Sequence, residues 1–261
     1  LEKTELNPWR HYLHQLRKGA PYSLSEEVEQ ALIRKDLSGK EGFVQLFDEL
    51  TSSFSYRFTR PTEEFPSELS GEELLAYLYH QDGQVREEAF SIFLNKHREN
   101  ALVITSCFNN LLLDHEREGD LRGYPELMTP THLSCETEPL MVEQMMKISE
   151  QNYPLARDYY RLKQQLLGLD KMKNTDLYAP LPGSDQRFSF SEAQNLVLAS
   201  FHDFSPQLSE VAALFISEKR IDAPPSAGKS GGAFCMGMMP GLPPYVMLNF
   251  TGTLRDVSTL A

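Results

Sequence analysis

The segment that decides the fold is PYVMLNFTGTLRDVSTLA, Pro244 to Ala261. Tyr245 and Val246 favour a β-strand, and after Thr251-Gly252-Thr253 the apolar residues recur at helical spacing. Asp256 three residues after Thr253 predicts an N-cap with an acidic first turn. No glycine, basic last turn or proline closes this helix. It is therefore either a frayed tail packed on a neighbour or the beginning of a helix in a longer protein.

Upstream of this segment, most of the chain has a helical pattern. Residues 41–58 and 84–118 keep an apolar face over several turns, and a helix pair is expected to meet near Tyr153-Pro154. Ser70 followed by Glu73 predicts a capping box. These patterns predict a mainly α chain.

A small β element near the C-terminus interrupts this helical character. Glycine and proline become frequent after Ile221, and two short apolar runs remain between them. We expect one strand at about Gly232–Gly237 and a second at about Tyr245–Phe250, joined by a loop.

Composition excludes several classes of partner. The formal charge of −12 disfavours nucleic acid and anionic membrane, because phosphate contact needs clustered Lys and Arg. No apolar run approaches the length of a membrane span. The three cysteines are widely separated, which argues against a disulfide framework and for a reducing, cytoplasmic location.

Two motifs resemble catalytic signatures but are incomplete. Residues 223–230, APPSAGKS, fit a relaxed phosphate-loop pattern, but no buried strand precedes them and no good helix start follows, so we interpret them as a flexible basic turn. His115-Glu116 begins like the H-E-x-x-H zinc helix, but Gly119 stands where the second histidine is needed. His11 and His14 form an i,i+3 pair that is more typical of a surface.

Sulfur-containing residues leave alternatives open. Cys235 could be a nucleophile, although a small buried packing residue is the better interpretation. Met236, Met238 and Met239 could line an adaptable peptide-binding surface. Helical methionines such as Met141, Met145 and Met146 are expected in the core.

Three stretches carry a resemblance to a known family. They are Tyr160-Arg161-Leu162 with Asp176-Leu177-Tyr178-Ala179-Pro180, the run from Lys229 to Cys235, and Leu248-Asn249-Phe250 through Leu260-Ala261. In these stretches, and more loosely over nearly its whole length, the chain resembles oligoendopeptidase F, the bacterial branch of the zinc metallopeptidases that include thimet oligopeptidase.

The resemblance implies a zincin-type peptidase fragment. In that family the sequence that corresponds to the segment ending at Ala261 leads directly into the H-E-x-x-H helix. The zinc ligands and the catalytic Glu are therefore expected outside this chain. We therefore expect no catalytic residue and no metal ligand among these residues. Zinc is implied for the intact enzyme, and the remaining part of the peptidase is implied as a partner.

For the residues present, the resemblance implies a role in substrate handling. Gly232, Ala233, Phe234 and Cys235 resemble the strand that pairs with an extended peptide, and Tyr245 is a further candidate contact. The alternative is that the glycines serve only a tight bend, and that Tyr245, like Asn249, is a packing residue.

Two hypotheses about function result. The first is a part of a zinc oligopeptidase that cleaves short peptides, with a helical wall region in residues 1–135 and helices plus substrate-side strands in residues 136–261. On this hypothesis the chain alone is inactive. The second is a helical protein-interaction module without an enzymatic parent.

Overall fold

The computed structural model describes residues 4–181, 186–226, 228–237, 239 and 241–261. Within these ranges the chain is mainly helical and contains five short strands, which confirms the predicted fold class. The α-helices of the first 135 residues are α1 Arg10–Gly19, α2 Glu26–Asp36, α3 Lys40–Ser52, α4 Gly71–Leu75, α5 Gly83–Glu99, α6 Ala101–Arg122 and α7 Thr129–Ser134. Those that follow are α8 Pro139–Gln151, α9 Tyr153–Leu166, α10 Phe190–Phe204, α11 Pro206–Ser217 and α12 Leu254–Leu260.

The strands form two small sheets. They are β1 Tyr56–Phe58, β2 Ser67–Leu69, β3 Ile221–Asp222, β4 Phe234–Met236 and β5 Tyr245–Met247. Strands β1 and β2 make an antiparallel hairpin, and the other sheet has the order β3-β5-β4. Short 3₁₀ helices cover Thr4–Trp9, Ala20–Tyr22, Ala76–Tyr79 and Asn174–Asp176.

The chain divides into two compact units. One comprises Leu1–Phe47 and Ala101–Tyr159, and the other comprises Asp48–Asn100 and Tyr160–Ala261. The predicted division at residue 135 into a wall region and a substrate-side region stays a prediction.

In the first unit, the Arg122 side chain links three segments. Its guanidinium pairs with Glu29 at 2.7 Å and with Glu118 at 2.8 Å, and Lys40 reaches Glu118 at 3.2 Å. The hydrogen bonds from Arg122 lower the pKa of the Glu29 carboxyl to about 2. These ion pairs tie helices α2 and α3 to the C-terminal end of α6.

The helical methionines of this unit differ from prediction. Met141, Met145 and Met146 on α8 are 64%, 58% and 51% exposed, so the expectation that they lie in the core is wrong. Their helical spacing indicated a face that excludes water, but half or more of each side chain is exposed.

In the second unit, the β1–β2 hairpin carries one hydrophobic core. Phe54, Tyr56 and Phe58 are buried there together with Leu69, Leu74 and Ala89. The helix predicted through Phe58 is wrong, because residues 54–58 alternate between buried and exposed positions, which is the period of a strand.

The helix predicted over residues 84–118 is broken into α5 and α6 at Asn100. The Asn100 side-chain amide donates to the carbonyl of Lys96 at 2.9 Å, and its backbone leaves the helical region. Local side-chain bonds of this kind compete with the helical ladder and end it. The predicted capping box of Ser70 and Glu73 is confirmed.

The last helix, α12, packs against a second hydrophobic core in this unit. Val257 of α12 is buried against Ala193 and Val197 of α10. The predicted cap at Thr253 is confirmed, with both hydrogen bonds of a capping box to Asp256 present.

Candidate functional site: an open edge strand

The three-stranded sheet of the second unit has β5 at its centre. Strand β3 pairs with β5 in parallel, and β4 pairs with it antiparallel on the other side. Both strands expected from sequence exist, but they are shorter than predicted, and β3 was not predicted. Strand β4 is therefore at the edge of the sheet.

Backbone hydrogen bonds fix which way each residue of β5 faces. The N–H of Val246 donates to the carbonyl of Arg220 and the N–H of Leu248 to that of Asp222, each at 2.9 Å. The N–H and C=O of one residue in a strand point to the same side, and successive residues alternate. Tyr245 therefore presents its backbone groups to β4.

The same alternation fixes the orientation of β4. Met236 lies opposite Tyr245, and Phe234 lies opposite Met247, so these two residues of β4 direct their backbone groups at β5. The N–H and C=O of Cys235 consequently point to the other side. No strand of the described residues pairs with β4 on that side.

The predicted site residues lie on or beside this open edge. Gly232 and Ala233 lead into β4, Phe234 and Cys235 belong to it, and Tyr245 is on the neighbouring strand. All of residues 231–237 are exposed, and Tyr245 is 57% exposed. The interpretations of Cys235 as a buried packing residue and of Tyr245 as a packing residue are therefore wrong.

Lys229 closes the predicted turn, because its N–H donates to the carbonyl of Ser226 at 3.2 Å, and its side chain is anchored. Its ammonium donates to the carbonyls of Asp222 at 3.2 Å and Pro224 at 2.9 Å, and it pairs with the Asp222 carboxylate at 3.1 Å. The Lys229 side chain is only 8% exposed. It fastens the end of β3 to the loop that leads into β4.

Two further side chains hold the beginning of β4. The Asn249 amide donates to the carbonyls of Ser230 at 3.0 Å and Gly232 at 3.2 Å. The N–H of Gly232 donates to the Glu72 carboxylate at 3.3 Å. Glu72 comes from α4, and nothing in the sequence indicated this contact. Gly232 has φ +82°, a backbone conformation that favours glycine, so it also makes the bend that the alternative interpretation proposed.

Helix α12 follows the sheet and is held at its N-terminus. The Asp256 carboxylate accepts from the N–H and hydroxyl of Thr251 at 2.8 and 2.7 Å and from the N–H of Thr253 at 3.0 Å. Gly252 between them has φ +89°, and a Cβ there would come within 2.9 Å of the Phe188 carbonyl oxygen.

Arg255 of α12 lies against two tyrosine rings. Its guanidinium carbon is 5.6 Å from the ring centre of Tyr79 and 5.5 Å from that of Tyr178, and it donates a hydrogen bond to the Tyr79 hydroxyl. Cation–π contacts of this kind are attractive. Together they join α12 to the 3₁₀ helix ending at Tyr79 and to the loop containing Tyr178.

A buried ion pair lies directly before Tyr178 in the chain. Arg86 donates to the Asp176 carboxylate at 2.6 Å, and both side chains are almost fully buried, at 3% and 6% exposure. Burial opposes ionisation of Asp176, but the hydrogen bonds from Arg86 and from the Lys173 N–H outweigh it and lower the pKa of the Asp176 carboxyl. Asp176, the first residue of the motif at 176–180, therefore has a structural role here.

The described residues do not fit a zinc ion. Across residues 4–181, 186–226, 228–237, 239 and 241–261, no three His, Cys, Asp or Glu side chains converge on a point that could hold a metal. The His115 ring is hydrogen-bonded to the Leu127 carbonyl at 2.8 Å. No catalytic step is therefore assigned to a metal held by these residues.

In the part of the chain that the structure describes, no helix combines the length and the apolar character needed to span a bilayer.

Comparisons with known proteins place the chain in a family. Its residues 76–261 match the family model for peptidase family M3, and residues 1–56 match the model for oligopeptidase F. Relatives include the group B oligopeptidase PepB of Streptococcus agalactiae, 24% identical over the whole chain and 43% of its own length, and oligopeptidase PepF of Bacillus subtilis, 19% identical over 39% of its length. The chain thus spans less than half the length of these relatives.

Solved structures show the same fold. A putative oligoendopeptidase F from Bacillus anthracis superposes with a TM-score of 0.79 at 18% identity over 97% of this chain and 47% of its own. PZ peptidase A with an inhibitor superposes with a TM-score of 0.84 at 18% identity over 98% and 44%. With a family model covering most of its length, the chain belongs to peptidase family M3.

Proposed function

We propose that this chain is the substrate-side part of an oligopeptidase that hydrolyses internal bonds of short peptides. In this proposal an extended peptide adds to the sheet as a further strand, on the open side of β4. The family membership and the names of the relatives, which are oligopeptidases, support this substrate class.

The observation that carries the proposal is the outward backbone of Cys235. An unpaired N–H and C=O on an edge strand form a template for another chain. Ala233 and Gly237, two residues away on either side, extend the same row, and both are exposed. Their small side chains let a second backbone approach closely. Recognition through main-chain groups would tolerate many peptide sequences.

Hydrolysis itself is proposed to depend on zinc in the intact enzyme. Because the described residues offer no ligand set, we propose that the ligands belong to the remaining part of the peptidase, which acts as the partner of this chain. Purified alone, the chain should bind no stoichiometric zinc and cleave no peptide. Chelator-sensitive cleavage of a fluorogenic peptide by the chain alone would contradict this. A cytoplasmic location, which the three free cysteines support, is part of the proposal.

The binding proposal is tested by calorimetry with a capped heptapeptide of alternating alanine and threonine. The matched ligand is the same peptide methylated on every interior amide nitrogen, which removes its hydrogen-bond donors. We expect the chain to bind the unmodified peptide and not the methylated one. Equal binding of both peptides, or binding of neither, would contradict strand addition.

A variant of one residue tests the same point from the protein side. Cys235→Pro removes the outward N–H and no hydrogen bond to β5, and proline is tolerated on edge strands. Cys235→Ala makes a similar change of side chain but keeps the N–H. We expect the proline variant to lose most of its affinity and the alanine variant to lose much less. If both lose the same affinity, the outward N–H is not a contact.

A further inference from the structure

We propose that the outward face of this sheet is an apolar subsite that selects peptides with apolar side chains at every second residue. This inference rests on the proposed strand addition and adds a rule for side chains to it. The name outward face is used here for four residues, Phe234 and Met236 of β4 and Tyr245 and Met247 of β5.

Cross-strand pairing places these four residues on one side of the sheet. Phe234 lies opposite Met247, and Met236 lies opposite Tyr245. Residues directly opposite each other in an antiparallel pair project to the same face, and so do residues two apart.

The other side of the sheet faces the core. Cys235 lies opposite Val246, and Leu248, two residues after Val246, is only 1% exposed. Ala223, two residues after Ile221 of β3, is 3% exposed. This side is packed at Leu248 and Ala223, although Cys235 at the edge of the sheet is exposed. The outward face is open at β4 and at Tyr245.

The outward face is open although its residues are apolar. Phe234, Met236 and Tyr245 are 47%, 53% and 57% exposed. They line a groove of about 280 Å³ together with Val246 and Met247 and, on the side of β3, Lys219, Arg220, Ile221 and Asp222. The groove is therefore apolar next to β4 and charged on the side of β3. Methionine adapts its shape to different partners, and aromatic rings contribute large contact areas, so this surface suits apolar side chains of varied shape.

Strand addition determines which peptide side chains reach this groove. The peptide residue that pairs with Cys235 projects to the core-side face, as Cys235 does. The residues immediately before and after it project to the outward face, beside Phe234 and Met236. These two peptide residues are separated by one position, so the subsite reads an i,i+2 pair.

The test uses two capped peptides of identical composition that bind to the purified chain. Each contains two phenylalanines in an alanine and threonine background, placed at i,i+2 in one peptide and at i,i+3 in the other. In an extended strand only the i,i+2 pair projects to one face. We expect the i,i+2 peptide to bind about tenfold more tightly, which corresponds to about 1.4 kcal/mol at 25 °C.

Variants locate the selectivity. Met236→Gln and Tyr245→Thr make the outward face more polar, and should reduce the tenfold ratio to less than about threefold, since each removes apolar contact area. Met141→Gln is the matched control, because Met141 is similarly exposed but lies on α8. It should keep the ratio. Circular dichroism spectra establish that each variant is folded, and the ratio itself is independent of the active fraction of protein.

The outcomes separate this inference from the proposed function. If amide methylation abolishes binding but the two spacing isomers bind equally, strand addition stands and the apolar subsite is wrong. If Met141→Gln lowers the ratio as much as Met236→Gln, the selectivity lies elsewhere and the subsite is again wrong. If neither isomer binds, both the proposed function and this inference fail.

Discussion

Replacing Arg86 by methionine should destabilise the second unit strongly. The Arg86 guanidinium donates to the Asp176 carboxylate and to the carbonyls of Thr175 at 3.1 Å and of His80 and Gln81 at 2.7 Å each. Arg86→Met leaves the Asp176 charge without its partner in an almost fully buried site. Removing one member of a buried ion pair costs about 3–5 kcal/mol. Since a domain is stable by about 5–15 kcal/mol, this change removes a large part of the total.

Urea unfolding followed by circular dichroism measures this loss. Arg117→Met is the matched control, because Arg117 pairs with Asp120 on the surface, where the side chains are 66% and 67% exposed. That change should cost less than about 1 kcal/mol. If Arg86→Met fails to fold, the double variant Arg86→Met with Asp176→Leu removes both charges and should recover at least half of the loss. A single variant within about 1 kcal/mol of the parent would refute the reasoning.

The remaining predictions concern acid, a glycine and a lysine. The pKa of the Asp176 carboxyl is lowered in the folded state, so this group contributes stability that is fully present above its ordinary pKa of 3.8 and is lost as the pH falls through the lower folded value. Asp176→Asn lacks this contribution. When the unfolding free energy is measured as a function of pH, it should therefore change less below pH 4 in Asp176→Asn than in the parent. Gly252→Ala should cost about 2 kcal/mol, because Gly252 has a positive φ and an added Cβ would approach a carbonyl. Gly119→Ala lies within α6, where a Cβ meets nothing within 4 Å, and should stabilise the protein by up to about 1 kcal/mol. Thermal unfolding compares the two variants, and equal shifts of the unfolding midpoint would contradict the prediction. Lys229→Met should cost about 1–2 kcal/mol of stability, because it removes the bonds of the ammonium to Asp222 and to the carbonyl of Pro224. Amide hydrogen exchange at residues 228–232 should become faster, and unchanged exchange there would contradict the prediction.

Local signals in the sequence predicted the helical architecture and its caps. The Ser70 and Thr253 capping boxes were recognisable because the cap and its acidic partner lie within four residues. The break at Asn100 was not recognisable, because the sequence does not show whether an asparagine side chain bonds its own helix or faces solvent. Met141 on α8 was assigned to the core because an apolar face has the same pattern whether or not a partner covers it.

The candidate site was only partly predictable for a similar reason. Sequence resemblance located Gly232–Cys235, and the structure adds the alternation that turns the backbone of Cys235 outward. The contact of Glu72 with Gly232 joins residues 160 positions apart, and the burial of Lys229 depends on carbonyls of β3 and the following loop. Such contacts arise from tertiary folding, and no local spacing encodes them.

Residue-resolved amide hydrogen exchange tests most directly whether the open side of β4 binds the peptide. On addition of saturating unmodified heptapeptide, we expect the amide of Cys235 to become at least about tenfold more protected. The amides of Phe234 and Met236 should already be protected by β5 and change little. A Cys235 amide that is slow to exchange without peptide, or that stays unchanged while the peptide binds, would contradict the claim that this edge receives the substrate.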